Sequence, residues 1–413
     1  LGDGFDFLQL EKELGESEIG LLPAIPFGWQ GSRLEVPALL FAELVRHLVY
    51  NLVEDGFTNI SLLTAGVEPL GEIRTVHLPG REEPGLYDIP ADREKVVIIP
   101  IGHVEQHGYH APLITDTTLI DAVARGTAAA VPTQALCLPV FPYGVSSHRR
   151  SFPGTFSMGG CTCEEFWMSV LDVLVEAGFT RFYLMNGHGG NSSYLVNVVK
   201  HAGEKYPRIF CATAFLYLSG SKGAEALDAK RESPIGGMGH ACELETSLML
   251  HLRPELVHLD RAVDEMDFIS TPSYYMDWIE GGALTANPPW EDDTRTGAYG
   301  AGSLATAEKG AYWLQVAIEE KVDHIAEIQE QYRRRRKRRK KAKRARVRNK
   351  RIEPQRHQDT KIISINTLCR GAFVSSCERN GFERRSSMFI CGSRAVVRDL
   401  WPVSRPGFPL SRE

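Results

Sequence analysis

Apolar positions between residues 95 and 332 recur in two alternating periods, which predicts strands and helices in turn. The clearest strand is Val96-Val97-Ile98-Ile99, a continuous β-branched run of the kind buried on both faces of a parallel sheet. Pro100 and Gly102 break it. Thr117 to Ala130 carries apolar residues at the helical period of about 3.6, and Asp116 is placed to cap its first turn. Ala135 to Phe141 reads as a strand, and Glu164 to Ala177 as an amphipathic helix closed by Gly178. Arg181 to Met185 is a strand, Ser192 to Lys200 a helix, Ile209 to Phe215 a strand, and Ala305 to Gln331 the closing helix. This alternation predicts an α/β fold with a mostly parallel sheet and helices on both faces. Residues 266–300 interrupt the pattern with Gly, Pro, Trp and Tyr. They read as a long loop, either a surface excursion or a lid carrying Tyr274, Tyr275, Trp278 and Trp290.

Chemistry gathers where the strands end. Glu105, His107 and Asp116 follow the first strand, and in open α/β sheets ligands sit at the carboxyl ends of strands. Glu105 and His107, at i and i+2, point the same way on an extended loop and can grip one metal or one each of a pair. Asp116 can bridge two cations. A polar surface loop is the competing reading of this stretch alone. The strand at Arg181 runs into Asn186-Gly187-His188-Gly189-Gly190-Asn191, where glycines let the backbone approach whatever His188 holds. A phosphate loop would need a Lys and a spacing that this stretch lacks. A third cluster sets His240 and Glu243 at i and i+3, on one face if helical. Histidines with carboxylates suit Zn²⁺, Mn²⁺ or Fe²⁺.

Four ordered blocks carry a resemblance: EQHG with Asp116, His148 with FPGT, NGHGGN, and GHACELETSLML. Together they resemble the creatininase (creatinine amidohydrolase) family from about Lys95 to Val322. The resemblance implies metal ligands at Glu105, His107, Asp116 and His188, a catalytic histidine at His240, and a pocket position for His148. In creatininase the NGH block continues with a further glutamate ligand, and here that position is Gly190. Glu243 is the expected substitute, as ligand and as catalytic partner of His240, while Glu245 reads as structural or supporting. The implied function is hydrolysis of a non-peptide C–N bond (amide, cyclic amide or formamide) in a small molecule, with two divalent ions (Zn, Mn or Fe). Family members form oligomers, so a homo-oligomer is expected. The tryptophan that creatininase places before its catalytic histidine is missing from Gly236-Gly237-Met238-Gly239, which argues against creatinine. The HACE segment resembles the HAGE of a formamide-deformylase-like subgroup.

Composition adds bounds. A chain of 413 residues, 43% hydrophobic, can bury one large core or two modest ones. The net charge of −5 conceals fifteen Lys or Arg within the nineteen positions Arg333 to Arg351. With no apolar face to bury, this run should be disordered or a lone charged helix. It is either a solvated tail or a nuclear-import or nucleic-acid contact. The alternative function is therefore a catalytically retired scaffold or nucleic-acid-binding protein acting through that tail. No run of eighteen apolar residues predicts a membrane span, and no secretory leader is expected. Eight scattered cysteines without a CxxC pair read as reduced thiols, which points to the cytoplasm.

Residues 1–94 echo the middle of the chain. Leu22 to Gly28 matches Leu138 to Gly144, and Val53 to Thr58 matches Val175 to Thr180. On this alignment Gly66 stands for His188 and Ser32 for His148. Three regions are expected: 1–94, a partial and catalytically empty copy; 95–332, the metallohydrolase domain; and 333–413, a basic tail. The empty copy should dock on 95–332 through an apolar surface, with Pro79 to Arg93 as linker.

Overall fold

The computed structural model describes residues 20–64, 74–77, 92–216, 220–277 and 281–352. Gly66, Trp278, most of the linker and residues 353–413 lie outside them. The chain divides into two units, 1–347 and 348–413. In the first the elements are α1 (Ala38–Glu54), β1 (Ser61–Thr64), β2 (Arg74–His77), β3 (Val96–Ile101), α2 (Thr115–Ala130), β4 (Ala135–Cys137), α3 (Gly160–Glu176), β5 (Arg181–Asn186), α4 (Ser192–Lys205), β6 (Phe210–Phe215), α5 (Ser221–Lys230), β7 (Met238–His240), α6 (Glu243–Leu252) and β8 (Tyr299–Gly300). A last helix, α7, spans Ala307–Ile352.

The central sheet is parallel throughout, in the order β4-β3-β5-β6. Val97 pairs with Phe182 and Arg181 with Phe210. Strand side chains alternate between faces, and here both faces are covered. Val97, Ile99, Ile101, Phe182 and Leu184 belong to one core with α1, α3 and α4. Val96, Ile98, Tyr183 and Met185 belong to a second with α2, α6 and α7. The fold is the α/β class that the alternation predicts. Glu243 to Leu252 forms the helix on which the third cluster depends.

Several boundaries differ from the sequence reading: β4 ends at Cys137 rather than Phe141, α3 starts at Gly160, α4 runs on to Lys205, and two further differences bear on the site and the tail. Helix α2 starts at Thr115, with Ile114 at its cap and no side-chain capping bond, so Asp116 lies inside the first turn and its carboxylate is free for other partners. Helix α7 does not stop at Gln331. Arg and Lys are good helix formers, Glu330 pairs with Arg333 and Arg334 one turn on, and residues 333–346 are exposed.

The N-terminal segment packs on α3. Leu44, Val45 and Leu48 of α1 share a core with Phe166, Trp167 and Val170, and Phe27 lies 5.4 Å from the Phe141 ring. The matched stretches each contain a helix, α1 and α3. Neither Leu22 to Gly28 nor Leu138 to Gly144 is a strand, and the later flanks differ: β1 pairs with β2 in a separate sheet while β5 lies in the central one.

Candidate metal centre

The carboxyl ends of β3 and β5, the first turn of α2 and the β7–α6 turn converge on one buried cluster. Glu105, His107, Asp116, His188, His240 and Glu245 are all at most 3% exposed. Backbone carbonyls fix the rings: His107 Nδ1 donates to Glu105 O (3.1 Å) and His188 Nε2 to Val145 O (3.1 Å). The remaining nitrogens therefore face the carboxylates. His188 Nδ1 lies 3.0 Å from Asp116 Oδ2 and 3.1 Å from Glu105 Oε1. His107 Nε2 lies 3.3 Å from Asp116 Oδ1 and 3.9 Å from Glu245 Oε2. The two oxygens of Asp116 thus face different imidazoles.

Glu243, expected as a ligand, is not in this cluster. Its carboxylate is buried on the other side of α6, where it accepts from Lys309 Nζ (2.7 Å), Ser233 N (2.9 Å) and Glu232 N (3.0 Å). Glu245 faces the cluster instead. Two residues along a helix is about 200° of rotation, so only one of the pair can face the cluster. Ala241 decides which: it turns the chain into α6 at φ 50°, and its N–H donates to Glu245 Oε2 at 2.6 Å. His110 Nε2 braces the same turn by donating to Ala241 O (3.1 Å).

Ser146 and Arg149 carry no sequence signal of their own. Ser146 Oγ donates to Glu105 Oε2 at 2.9 Å, and the Arg149 guanidinium bonds Glu105 Oε1 and, at 3.0 Å, His240 Nδ1. Arg149 lies 3.6 Å over the Trp290 ring. Trp290 also meets His240 (5.1 Å) and His148 (5.4 Å), so the loop read as a lid does supply a wall of the site. His148 is half-buried at this edge and not among the clustered ligands. Gln106 Nε2 ties the loop down through Gly297 O (2.9 Å). Helix α1 holds the segment that carries Ser146 and Arg149. Asp55 accepts from Gly154 N (2.9 Å) and Arg150 (3.3 Å), and Asn51 Oδ1 from Ser157 N (2.8 Å).

Electrostatics fit a cation-binding cluster. Burial pushes the carboxyls of Glu105 and Asp116 up, but Arg149 and His188 beside Glu105, and His107 beside Asp116, hold both below the ordinary range. Burial opposes charge on His107 and His188 too, yet Asp116 and Glu105 raise each to about 9. Burial, Arg149 and His107 together push His240 well down, so it rests neutral. Burial pushes Glu245 up to about 7. His107 Nε2 and Asp116 Oδ2 nevertheless lack an aligned hydrogen-bond partner, although buried polar atoms are nearly always paired. Lone pairs converging without hydrogen bonds are what a divalent ion requires, and the donor set of imidazole and carboxylate suits one. Gly190 cannot supply the missing glutamate: a Cβ there would stand 2.2 Å from Val145 O and 2.5 Å from His188 Nε2.

The family model for creatininase, described as creatinine amidohydrolase, matches residues 86–325. Creatinine amidohydrolase of Pseudomonas putida is 30% identical over 255 residues, covering 56% of this chain and 89% of that protein. Mycofactocin precursor peptide peptidase of Mycobacterium ulcerans is 29% identical over 245 residues, covering 56% of this chain and 84% of its own. A solved creatininase with Mn is 27% identical, with a TM-score of 0.48 over 57% of this chain and 91% of that one. More than half of this chain therefore matches a single family, and the chain belongs to it: it is a creatininase-family amidohydrolase.

Proposed function

We propose that the chain hydrolyses a non-peptide C–N bond, in an amide, cyclic amide or formamide, with two divalent ions (Zn, Mn or Fe). Glu105, Asp116 and His188 would hold one ion, and His107, Asp116 and Glu245 the other. The observation that carries this reading is Asp116, whose two oxygens face His107 and His188 separately. The relative named for creatinine supports a non-peptide C–N bond as target, the one named as a precursor peptide peptidase supports a C–N bond only, and a creatininase solved with Mn supports a divalent cation. Such ions, when bound, supply polarisation of a carbonyl and activation of water.

The chain's own residues do the rest. Ser146 and Arg149 fix the Glu105 carboxylate, and the carbonyls of Glu105 and Val145 fix the two imidazoles. His240 is the proton carrier. Its Nε2 donates to Gln106 O at 2.7 Å and its Nδ1 accepts from Arg149 at 3.0 Å, so Nδ1 serves as the basic nitrogen on the cluster side once the guanidinium moves off it. That nitrogen takes the proton released in the attack and returns it to the leaving nitrogen. Trp290 covers His240 and keeps bulk water away. With Trp290 as the aromatic neighbour of His240, and His148 at its edge, the pocket differs from one built with a tryptophan just before the histidine.

The test is metal analysis of the purified chain together with a screen of cyclic amides and formamides in added Mn²⁺ or Zn²⁺. The expected result is about two equivalents of metal, as a two-metal site requires, and chelator-sensitive turnover. A metal-free chain, or hydrolysis indifferent to chelator, would refute it.

A further inference from the structure

His103 lies two residues before Glu105 and has no role in the site as described so far. Its side chain is fully buried, and neither ring nitrogen has a hydrogen-bond partner. Its own carbonyl accepts from Thr117 Oγ1 (2.8 Å), which fixes the backbone, and its ring stacks on His188 at 4.2 Å and 25°. One nitrogen of His103, one of His188 and a Glu105 oxygen lie within 4.8 Å of one another. An imidazole kept for packing alone gains nothing from two unpaired polar atoms that a phenyl ring would not carry. It also lies on the Glu105–His188 side of the cluster, where Gly190 has no room for a side chain.

We infer that His103 is a fourth protein ligand for the ion held by Glu105, Asp116 and His188. This rests on the reading of the cluster as a metal centre. The two positions then differ in kind. The first has two imidazoles and two carboxylates, one of them shared. The second has one imidazole and two carboxylates. Nitrogen donors favour Zn²⁺ over Mn²⁺ more than carboxylates do, so the first position should be the tighter and the more Zn-selective.

The test titrates the metal-stripped chain with Zn²⁺ and with Mn²⁺ in competition with a chromophoric chelator, for the natural chain and for His103→Phe, which keeps ring and stacking. In the natural chain one Zn²⁺ should bind more tightly than the second. In His103→Phe that first affinity should fall at least about 30-fold, since even partners that only orient ligands are worth 10–100-fold. The Zn-over-Mn preference should shrink with it. Exchangeable, hyperfine-shifted imidazole N–H signals of the Co²⁺-loaded chain should number one fewer in the variant, an independent readout. Should His103→Phe fail to fold, the chemical shifts of ¹⁵N-His103 in the natural chain with and without Zn²⁺ decide. Equal affinities and preference in both proteins, or unmoved His103 shifts, would overturn the inference while leaving the dinuclear reading standing. A natural chain that binds no metal would overturn both.

Discussion

Glu243 and Glu245 are two residues apart and both buried, yet their replacement by Gln should have opposite consequences. Glu245→Gln keeps an oxygen to accept the Ala241 N–H, so the strained turn at φ 50° survives. It also removes one of three crowded carboxylates, whose repulsion and burial push Glu245 up to about 7, so the metal-free fold should lose little stability. The loss falls on the ion at His107 and Asp116. Removing one of its protein ligands should weaken it at least about 100-fold, since changes that merely reorient ligands cost 10–100-fold. Glu243→Gln should do the reverse. It ends a charge-assisted contact with Lys309 (2.7 Å), although Lys309 keeps Glu232 and Leu304 O as partners. The Gln oxygen still accepts from the Ser233 or Glu232 N–H. With those partners kept, the net cost should be about 1–2 kcal/mol, a few degrees in Tm. Elemental analysis after dialysis and a thermal melt on each variant read both quantities. An ion lost from Glu243→Gln, or two ions and full turnover in Glu245→Gln, would refute the assignment.

Further outcomes follow from the same geometry. Asp116→Asn should lose at least one ion and bring hydrolysis to background while the melt stays cooperative; metal content and rate near those of the natural chain would contradict the bridging role. Asp55→Ala frees Gly154 N and removes one of the partners of Arg150, which loosens the segment carrying Ser146 and Arg149. It should cut kcat/KM by about 10- to 100-fold, the scale of a small misplacement of reacting groups, with metal content unchanged; an unaltered kcat/KM would remove α1 from any role in the site. In the metal-free chain His107 and His188 are raised from 6.5 to about 9. A group raised on folding stabilises fully below its unfolded pKa and loses that contribution as pH climbs through its folded one. The metal-free Tm should therefore decline between pH 6.5 and 9 and that of the metal-loaded chain much less; a flat metal-free profile would contradict the shifts.

Much of the fold was legible because two periods differ clearly: β-branched runs such as Val96 to Ile99 fill a sheet buried on both faces, and apolar spacing marks the helices. The residues after β3 and β5 were equally readable, since a strand end announces where Glu105, His107 and His188 must lie. What the sequence hid was phase. Whether Glu243 or Glu245 faces the cluster depends on the turn at Ala241, whose positive φ no local signal announces. Arg149, and the contact that Trp290 of the candidate lid makes with it, were obscure for another reason. They reach the site only because loops some 140 residues apart meet, through pairs such as Ser151–Glu291 and Asn287–Ser147. The length of α7 was underestimated because burial ends near Tyr332 while helix propensity does not.

The central claim is that Asp116 bridges two cations, and anomalous diffraction from crystals grown with Mn²⁺ or Zn²⁺ tests it most directly. Two peaks about 3.5–4 Å apart are expected, one on each Asp116 oxygen. The first should be in contact with Glu105 and His188, and the second with His107 and Glu245. No peak at Asp116, or a single one bound at Glu243, would contradict the account.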